Sequence, residues 1–135
     1  LGRQHEGDDQ GHGQRKHEAI QAIKSQAVDG FNFNCGLADF QRLDHIASVA
    51  GLPSWHGSEV DLGILEAMYV HSAAAAESCI WPSDIFGRNI RSHDLLVDPL
   101  EIKDSFVSLP AGVGLGVEVD MDAVNNFKTQ EKEYR

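Results

Sequence analysis

The chain has 135 residues, 41% hydrophobic and 24% charged, with a formal net charge of −10. That is room for one domain with its own core, and the acidic balance argues against an extended nucleic-acid-binding surface. No apolar run approaches the roughly 20 residues a membrane helix needs and no signal-peptide pattern opens the chain, so a cytoplasmic protein without membrane contact is expected.

Residues 1–16 are polar and glycine-rich, with almost nothing apolar to offset the cost of ordering them, and read as a loop or tail. His5, Glu6, Asp8, Asp9, His12 and His17 are metal-ligand types, but they lack a standard zinc spacing such as HExxH. Helical spacing of Ala19, Ile20, Ala22, Ile23 and Ala27 predicts a helix over 17–27. Asp29-Gly30 breaks it, and Phe31-Asn32-Phe33-Asn34 alternates as a short strand, with both asparagines on one face. A second helix is expected over 39–50, with Phe40, Leu43, Ile46, Ala47 and Ala50 as its stripe and Gly51 as its stop. Cys35 and Cys79 stand far apart without a CxxC pairing and read as reduced thiols.

Leu52-Pro53-Ser54-Trp55 is the next strand, and His56-Gly57-Ser58-Glu59-Val60-Asp61 follows it. An imidazole, a hydroxyl and two carboxylates thus stand at a strand end between two helices, the usual place for chemistry in an α/β fold. The third helix is expected over 62–76, its buried face formed by Leu62, Leu65, Met68, Tyr69, Ser72 and Ala75-Ala76, with His71 and Met68 in packing roles. Cys79-Ile80-Trp81 is β-compatible, and Pro82-Ser83-Asp84 ends it. Leu100-Glu101-Ile102 and Phe106-Val107-Ser108-Leu109 form a hairpin around residues 103–105. Gly112-Val113-Gly114-Leu115-Gly116 resembles a phosphate loop, but the expectation that no helix follows it rejects a dinucleotide site. A charged tail closes the chain.

Alternating strands and helices imply an α/β fold with a parallel sheet. Three such strands cannot close an eight-stranded barrel and leave an edge unsatisfied, so the chain reads as a piece of something larger. The expected divisions are a polar loop or tail over 1–16, a partial (β/α) barrel over 17–98, a closing hairpin and connector over 99–122, and a tail over 123–135.

Several local patterns carry a resemblance to a known family. Asp29–Asn34 followed by Ile46-Ala47-Ser48-Val49-Ala50-Gly51-Leu52-Pro53 is similar to the sixth strand, sixth helix and seventh-strand entry of the mandelate racemase and muconate lactonizing enzyme branch of the enolase superfamily. Gly57-Ser58-Glu59-Val60-Asp61-Leu62-Gly63-Ile64 resembles its seventh-strand end, and Pro82-Ser83-Asp84-Ile85-Phe86-Gly87 its eighth. Pro99-Leu100-Glu101-Ile102 and Leu109-Pro110-Ala111-Gly112-Val113-Gly114-Leu115-Gly116 resemble its closing segment. The resemblance implies the C-terminal half of a modified (β/α) TIM-type barrel, parallel strands alternating with helices and then a C-terminal hairpin.

It also implies a Mg²⁺-dependent racemase, cycloisomerase or acid-sugar dehydratase, that is, an isomerase or lyase. Such an enzyme abstracts the proton α to the carboxylate of a small substrate such as an acid sugar. That proton is a very weak acid, so a metal absorbs the developing charge while a base takes the proton. Most of the metal ligands and the second-strand lysines have no counterpart here, and the chain alone is expected to be inactive. Asp8 and Asp9 fall near the fifth-strand metal position, with a solvated loop as the alternative. Asn34 stands where the family carries a lysine or an aspartate; an amide carries no proton near neutral pH but can bond a substrate oxygen or the loop backbone. The seventh-strand glutamate maps to Glu59 or to Asp61 depending on the anchor chosen, with helix capping the alternative for Asp61 and a solvated acid that for Glu59. Ser58 accompanies them on the substrate side. His56 lies near the racemase-type base, with a hydrogen-bonded structural role as the alternative. Asp84, at the eighth-strand end, either meets substrate or bonds its own loop. The competing reading is an inactive half-barrel that persists as a homo-oligomer or by binding a partner through its open edge.

Overall fold

The computed structural model describes residues 8–129, with side chains from Gly13 onward. In chain order it contains α1 (Asp8–Lys24), β1 (Phe31–Phe33), α2 (Leu37–Val49), β2 (Ser54–His56), α3 (Gly63–Ala74), a 3-10 turn (Gly87–Asn89), β3 (Ile102–Lys103), β4 (Phe106–Val107) and α4 (Met121–Phe127). The chain forms two compact units, one running to Gly57 and including Ser72–Asp84, the other comprising Ser58–His71 and the chain from Ile85. None of the described helices is long and apolar enough to cross a membrane.

In the first unit β1 and β2 pair in parallel, with Phe31 opposite Ser54, Asn32 opposite Trp55 and Phe33 opposite His56. Because side chains alternate across a strand, Phe33 and His56 share one face and Asn32 and Trp55 the other. Phe40 of α2 covers the first face. Its fully buried ring meets Phe33 edge-on at 6.2 Å and stacks on His56 at 4.2 Å. Ala19, Cys35, Leu43 and Ala47 complete this core.

α1 begins at Asp8, where the sequence suggested a loop to residue 16. Apolar periodicity could not show this, because the extra turns carry no apolar side chain. Gln14 within them pairs one turn on with Glu18 at 2.9 Å. Lys16 also lies 3.7 Å from the buried carboxylate of Asp39. α2 ends as its sequence predicted: Gly51 adopts φ +69, its N–H bonds Ser48 O at 2.9 Å, and the Leu52 N–H reaches back to Ala47 O at 3.0 Å.

The expected third strand near Cys79-Ile80-Trp81 is not regular. Ser54 N donates to Ser78 O, Trp81 N to Ser54 O and Asp84 N to His56 O. Partners on the outer segment are thus spaced by three residues where a flat ladder needs two, and Pro82 has no N–H to add. The start of this segment is clamped by Asp44. Its buried carboxylate accepts Glu77 N at 3.0 Å, Ser78 N at 2.9 Å and Ser78 Oγ at 2.5 Å, and Ser78 Oγ also lies 2.8 Å from Ser54 Oγ.

In the second unit Ala67, Val70, Leu96 and Leu100 form the core, with Ile85, Val107, Leu115 and Val117 packed around them. The α3 stripe differs from the expected one. Tyr69 and Ser72 are buried as expected, but Leu62 and Leu65 are exposed, and Glu66, Ala67 and Val70 are buried instead. Gly63 brings the helix start against Leu96 and donates its N–H to Asp94 O at 3.0 Å. Leu96 and Val119 form an antiparallel bridge. The expected hairpin is present as β3 and β4, with Ile102 opposite Val107 and Lys103 opposite Phe106. Its two turn residues, Asp104 and Ser105, both have positive φ, as a tight right-twisted hairpin requires. The start of the expected tail is α4, capped by Asp120, whose Oδ1 accepts Ala123 N at 2.9 Å; residues 130–135 lie outside the described residues.

Asp44→Ala leaves two backbone N–H groups and a hydroxyl without their acceptor, and is expected to lower unfolding stability by about 2–4 kcal/mol. Ser48→Ala, which removes only a surface bond to Glu77, should cost less than about 0.5 kcal/mol. Urea denaturation of the two variants checks the contrast.

Candidate functional site

The candidate residues fall into two groups, one in each unit. In the first, Asn34 follows the last residue of β1 and lines a cleft of about 380 Å³ with Arg15 and Glu18 of α1, Asn32 and Cys35. Alternation turns Asn32 to the exposed face, and its amide presses on Gly57, where a Cβ would overlap Asn32 Oδ1. Burial raises the Cys35 thiol pKa, with the Arg15 charge pulling the other way. The cleft presents two amides, a guanidinium and the Glu18 carboxylate, and burial favours the neutral form of its thiol.

His56 is placed differently from a mouth residue. Its imidazole is fully buried, stacks on Phe40, and lies with Nδ1 2.7 Å from Gly57 O. Its backbone N–H donates to Ser83 Oγ at 3.0 Å. The register puts it on the helix-facing side of β2, where the ring packs in the core, the placement expected of the structural alternative. Asp84 is exposed, and its N–H donates to His56 O at 3.3 Å.

The second group is the turn that follows β2 in the chain. Ser58 Oγ accepts Val60 N at 3.4 Å, and Asp61 Oδ2 accepts Glu59 N at 2.9 Å. Val60 takes φ +63 at the apex. Asp61 therefore folds back onto its own turn and does not cap α3, which starts at Gly63. Asp61 is half-buried and Glu59 exposed, so only one of the two rivals for the acidic position has a seated carboxylate.

Glu66 was absent from the expected set. It is 2% exposed, and its Oε1 accepts Gly87 N at 2.5 Å. Desolvation raises its pKa most; the Gly87 amide works against that, the Asp94 charge adds to it, the Arg88 amide again opposes it, and Asp61 adds a little. Gly87 is needed here, since a Cβ would strike Glu66 Oε1 and lie 2.5 Å from Asp61 O. The sequence did carry a signal for Glu66, an acid on the stripe Gly63, Glu66, Ala67, Val70.

Asp8 and Asp9 open α1, and their side chains lie outside the described set. Among the described residues no group of three or more His, Cys, Asp or Glu is arranged to hold a metal ion. The residues seen therefore do not fit a Mg²⁺ centre. The loop over 110–116 is a turn with Gly112, Gly114 and Gly116 at positive φ. A helix does follow it, contrary to expectation, but only from Met121, so the loop does not open onto a helix N-terminus as a phosphate loop would. His71 packs as expected, with Nε2 3.1 Å from Leu115 O.

A family model described as enolase C-terminal domain-like matches residues 12–123. The chloromuconate cycloisomerase of Cupriavidus necator is 33% identical over 113 residues, which are 81% of this chain and 30% of that protein. The fold is similar to that of a muconate cycloisomerase from Pseudomonas fluorescens, with a TM-score of 0.79 at 21% identity over 84% of this chain and 33% of that one. It is likewise similar to a mandelate racemase/muconate lactonizing family protein from Azoarcus sp. EbN1, with a TM-score of 0.76 at 24% identity over 86% and 35%. These likenesses define an α/β chain with half of a modified TIM barrel. The chain belongs to the enolase superfamily, as the C-terminal part of its mandelate racemase/muconate lactonizing enzyme branch. It spans about a third of the length of the curated relatives it matches.

Gly57→Ala should cost about 1–3 kcal/mol, because Asn32 must leave its place to admit the methyl group. Gly13→Ala, in an open stretch of α1, should raise stability by about 0.5–1 kcal/mol. Thermal unfolding of both variants tests the opposite signs.

Proposed function

We propose that this chain supplies the closing part of the barrel mouth in an enolase-superfamily enzyme of the cycloisomerase kind, acting on a small carboxylate. The observation that carries this reading is the Ser58–Asp61 turn, in which a half-buried carboxylate is braced by the Glu59 N–H where the family places an acid after its seventh strand. Asp61 is the group offered to the substrate or to a neighbouring catalytic residue, in preference to the exposed Glu59. Asn34 offers an amide to a substrate oxygen and moves no proton. Ser58 and Asp84 are further contacts on the substrate side. In this family Mg²⁺ supplies the charge stabilisation for α-proton abstraction; the residues described here hold no centre for it, and their part is to bind and orient. Proton transfer then depends on residues outside this set.

A chimera tests this, with residues 29–122 replacing the corresponding segment of the Cupriavidus necator relative. It should fold and bind Mg²⁺ but turn over chloromuconate at least about 100-fold more slowly, because Asn34 stands where the family's cycloisomerases carry a lysine. Asn34→Lys should restore most of the rate, and Asp61→Ala in that restored chimera should abolish it. Unchanged kcat and KM in the Asp61→Ala chimera would sink the assignment.

A second reading, an inactive half-barrel that persists by self-association, is favoured by the apolar surface of the first unit. Trp81 is 42% exposed, Ile80 is 73% exposed, and Trp81 leans on Trp55 at 5.5 Å on the face of β2 that α2 does not cover. This reading predicts a dimer by sedimentation equilibrium that Trp81→Ser weakens. A monomer at all accessible concentrations contradicts it.

A further inference from the structure

The loop after the Ile85 position and the turn that carries Asp61 belong to the same unit, and one buried side chain lies between them. Glu66 projects from the first turn of α3, 2% exposed, and accepts the amide of Gly87. Gly87 in turn lies so close to Asp61 that a Cβ there would be 2.5 Å from Asp61 O and 3.2 Å from Asp61 N. The glycine's amide is therefore held by a carboxyl, and the backbone of the candidate site acid lies against the same glycine. We propose that Glu66 is a positioning residue which, by accepting the Gly87 amide, holds that glycine against Asp61 and so sets where the Asp61 carboxylate stands. The proposal rests on the reading of Asp61 given above for the importance of that carboxylate, but the mechanical link from Glu66 to Asp61 is separate from it.

The surroundings favour a neutral Glu66. Asp94 and Asp61 are the acids that face it, while the Arg88 guanidinium is spent on Leu100 O, leaving the Gly87 and Arg88 backbone amides as its donors. A neutral carboxyl still accepts from Gly87 through its carbonyl oxygen, so the link survives protonation. Ionisation would place a third negative charge among Asp94 and Asp61 and push on the turn. With the folded-state pKa raised, Glu66 stabilises the fold fully below its unfolded value, and this contribution is lost as pH rises through the folded value.

Two substitutions separate the acceptor from the charge. Glu66→Leu keeps the bulk and removes the acceptor: it should lower hydrogen-exchange protection at the Gly87 amide by about tenfold or more and shift the Asp61 and Glu59 amide resonances. Glu66→Gln keeps an acceptor and no charge: it should preserve both, and its stability advantage over the unmodified chain should grow as pH rises. In the unmodified chain the Gly87 and Asp61 amides should titrate together with a midpoint above the ordinary glutamate range, and that titration should vanish in Glu66→Gln. Unchanged Gly87 protection and Asp61 shifts in Glu66→Leu overturn the proposal. If Glu66→Leu does not fold, Glu66→Gln decides: lost Gly87 protection or shifted Asp61 resonances there, with an acceptor still in place, overturn the proposal instead. Failure of the Asp61→Ala chimera test would remove the assigned role of Asp61 without touching these results.

Discussion

The parallel pairing of β1 with β2 is the constraint on which the first unit depends. Two strands of three residues have little cohesion of their own, and their register is imposed by what the pairing lets each face meet. One face gives Phe33 and His56 to the buried ring of Phe40; the other gives Asn32 and Trp55 to the side that α2 does not cover. A slip of β1 by one residue would put the amide of Asn32 against Phe40 and bring the ring of Phe33 out, and the same slip of β2 would bring out His56. The same alternation decides what is available for chemistry, because a side chain on the helix face cannot also serve the mouth.

Buried carboxylates occur in both units, and they are handled in different ways. Asp44 receives three donors, two of them backbone amides, and links α2 to the segment after α3. Its charge is accommodated by geometry, as a buried acid requires. Glu66 receives backbone amides but faces two other acids in a chain of net charge −10. One acid is a clamp that gathers donors from another segment; the other, its pKa raised by burial, is better placed as a neutral acceptor. That difference follows from neighbours and not from residue type.

Much of this architecture was legible in the sequence. The apolar stripe over Phe40, Leu43 and Ala47 announced α2, Gly51 announced its end, and the alternating Phe31–Asn34 announced β1, because each depends on local periodicity. The family resemblance rested on the order of short patterns along the chain, and it held. What escaped is what periodicity does not encode. α1 extends through residues without an apolar side chain, so its first turns leave no apolar stripe to read. The face to which His56 points depends on pairing register. The outer segment from Ser78 to Asp84 has strand-like bonds at spacing three, which no alternation rule detects. Glu66 is buried while Leu62 and Leu65 beside it are exposed, a choice of face that counting apolar residues does not predict.

The hairpin turn has a consequence for engineering. Asp104 and Ser105 both occupy the left-handed region of backbone space without being glycine, a conformation that costs L-residues roughly 1 kcal/mol or more each. The fold tolerates that cost because only Val107 of this hairpin packs against the core cluster, while Phe106 is 78% exposed. The connection between β3 and β4 is thus decoupled from the packing that defines the unit. It is a natural point at which to splice a tag, a reporter loop or a foreign epitope into the chain, leaving the Asp61 turn and the Glu66 contact undisturbed.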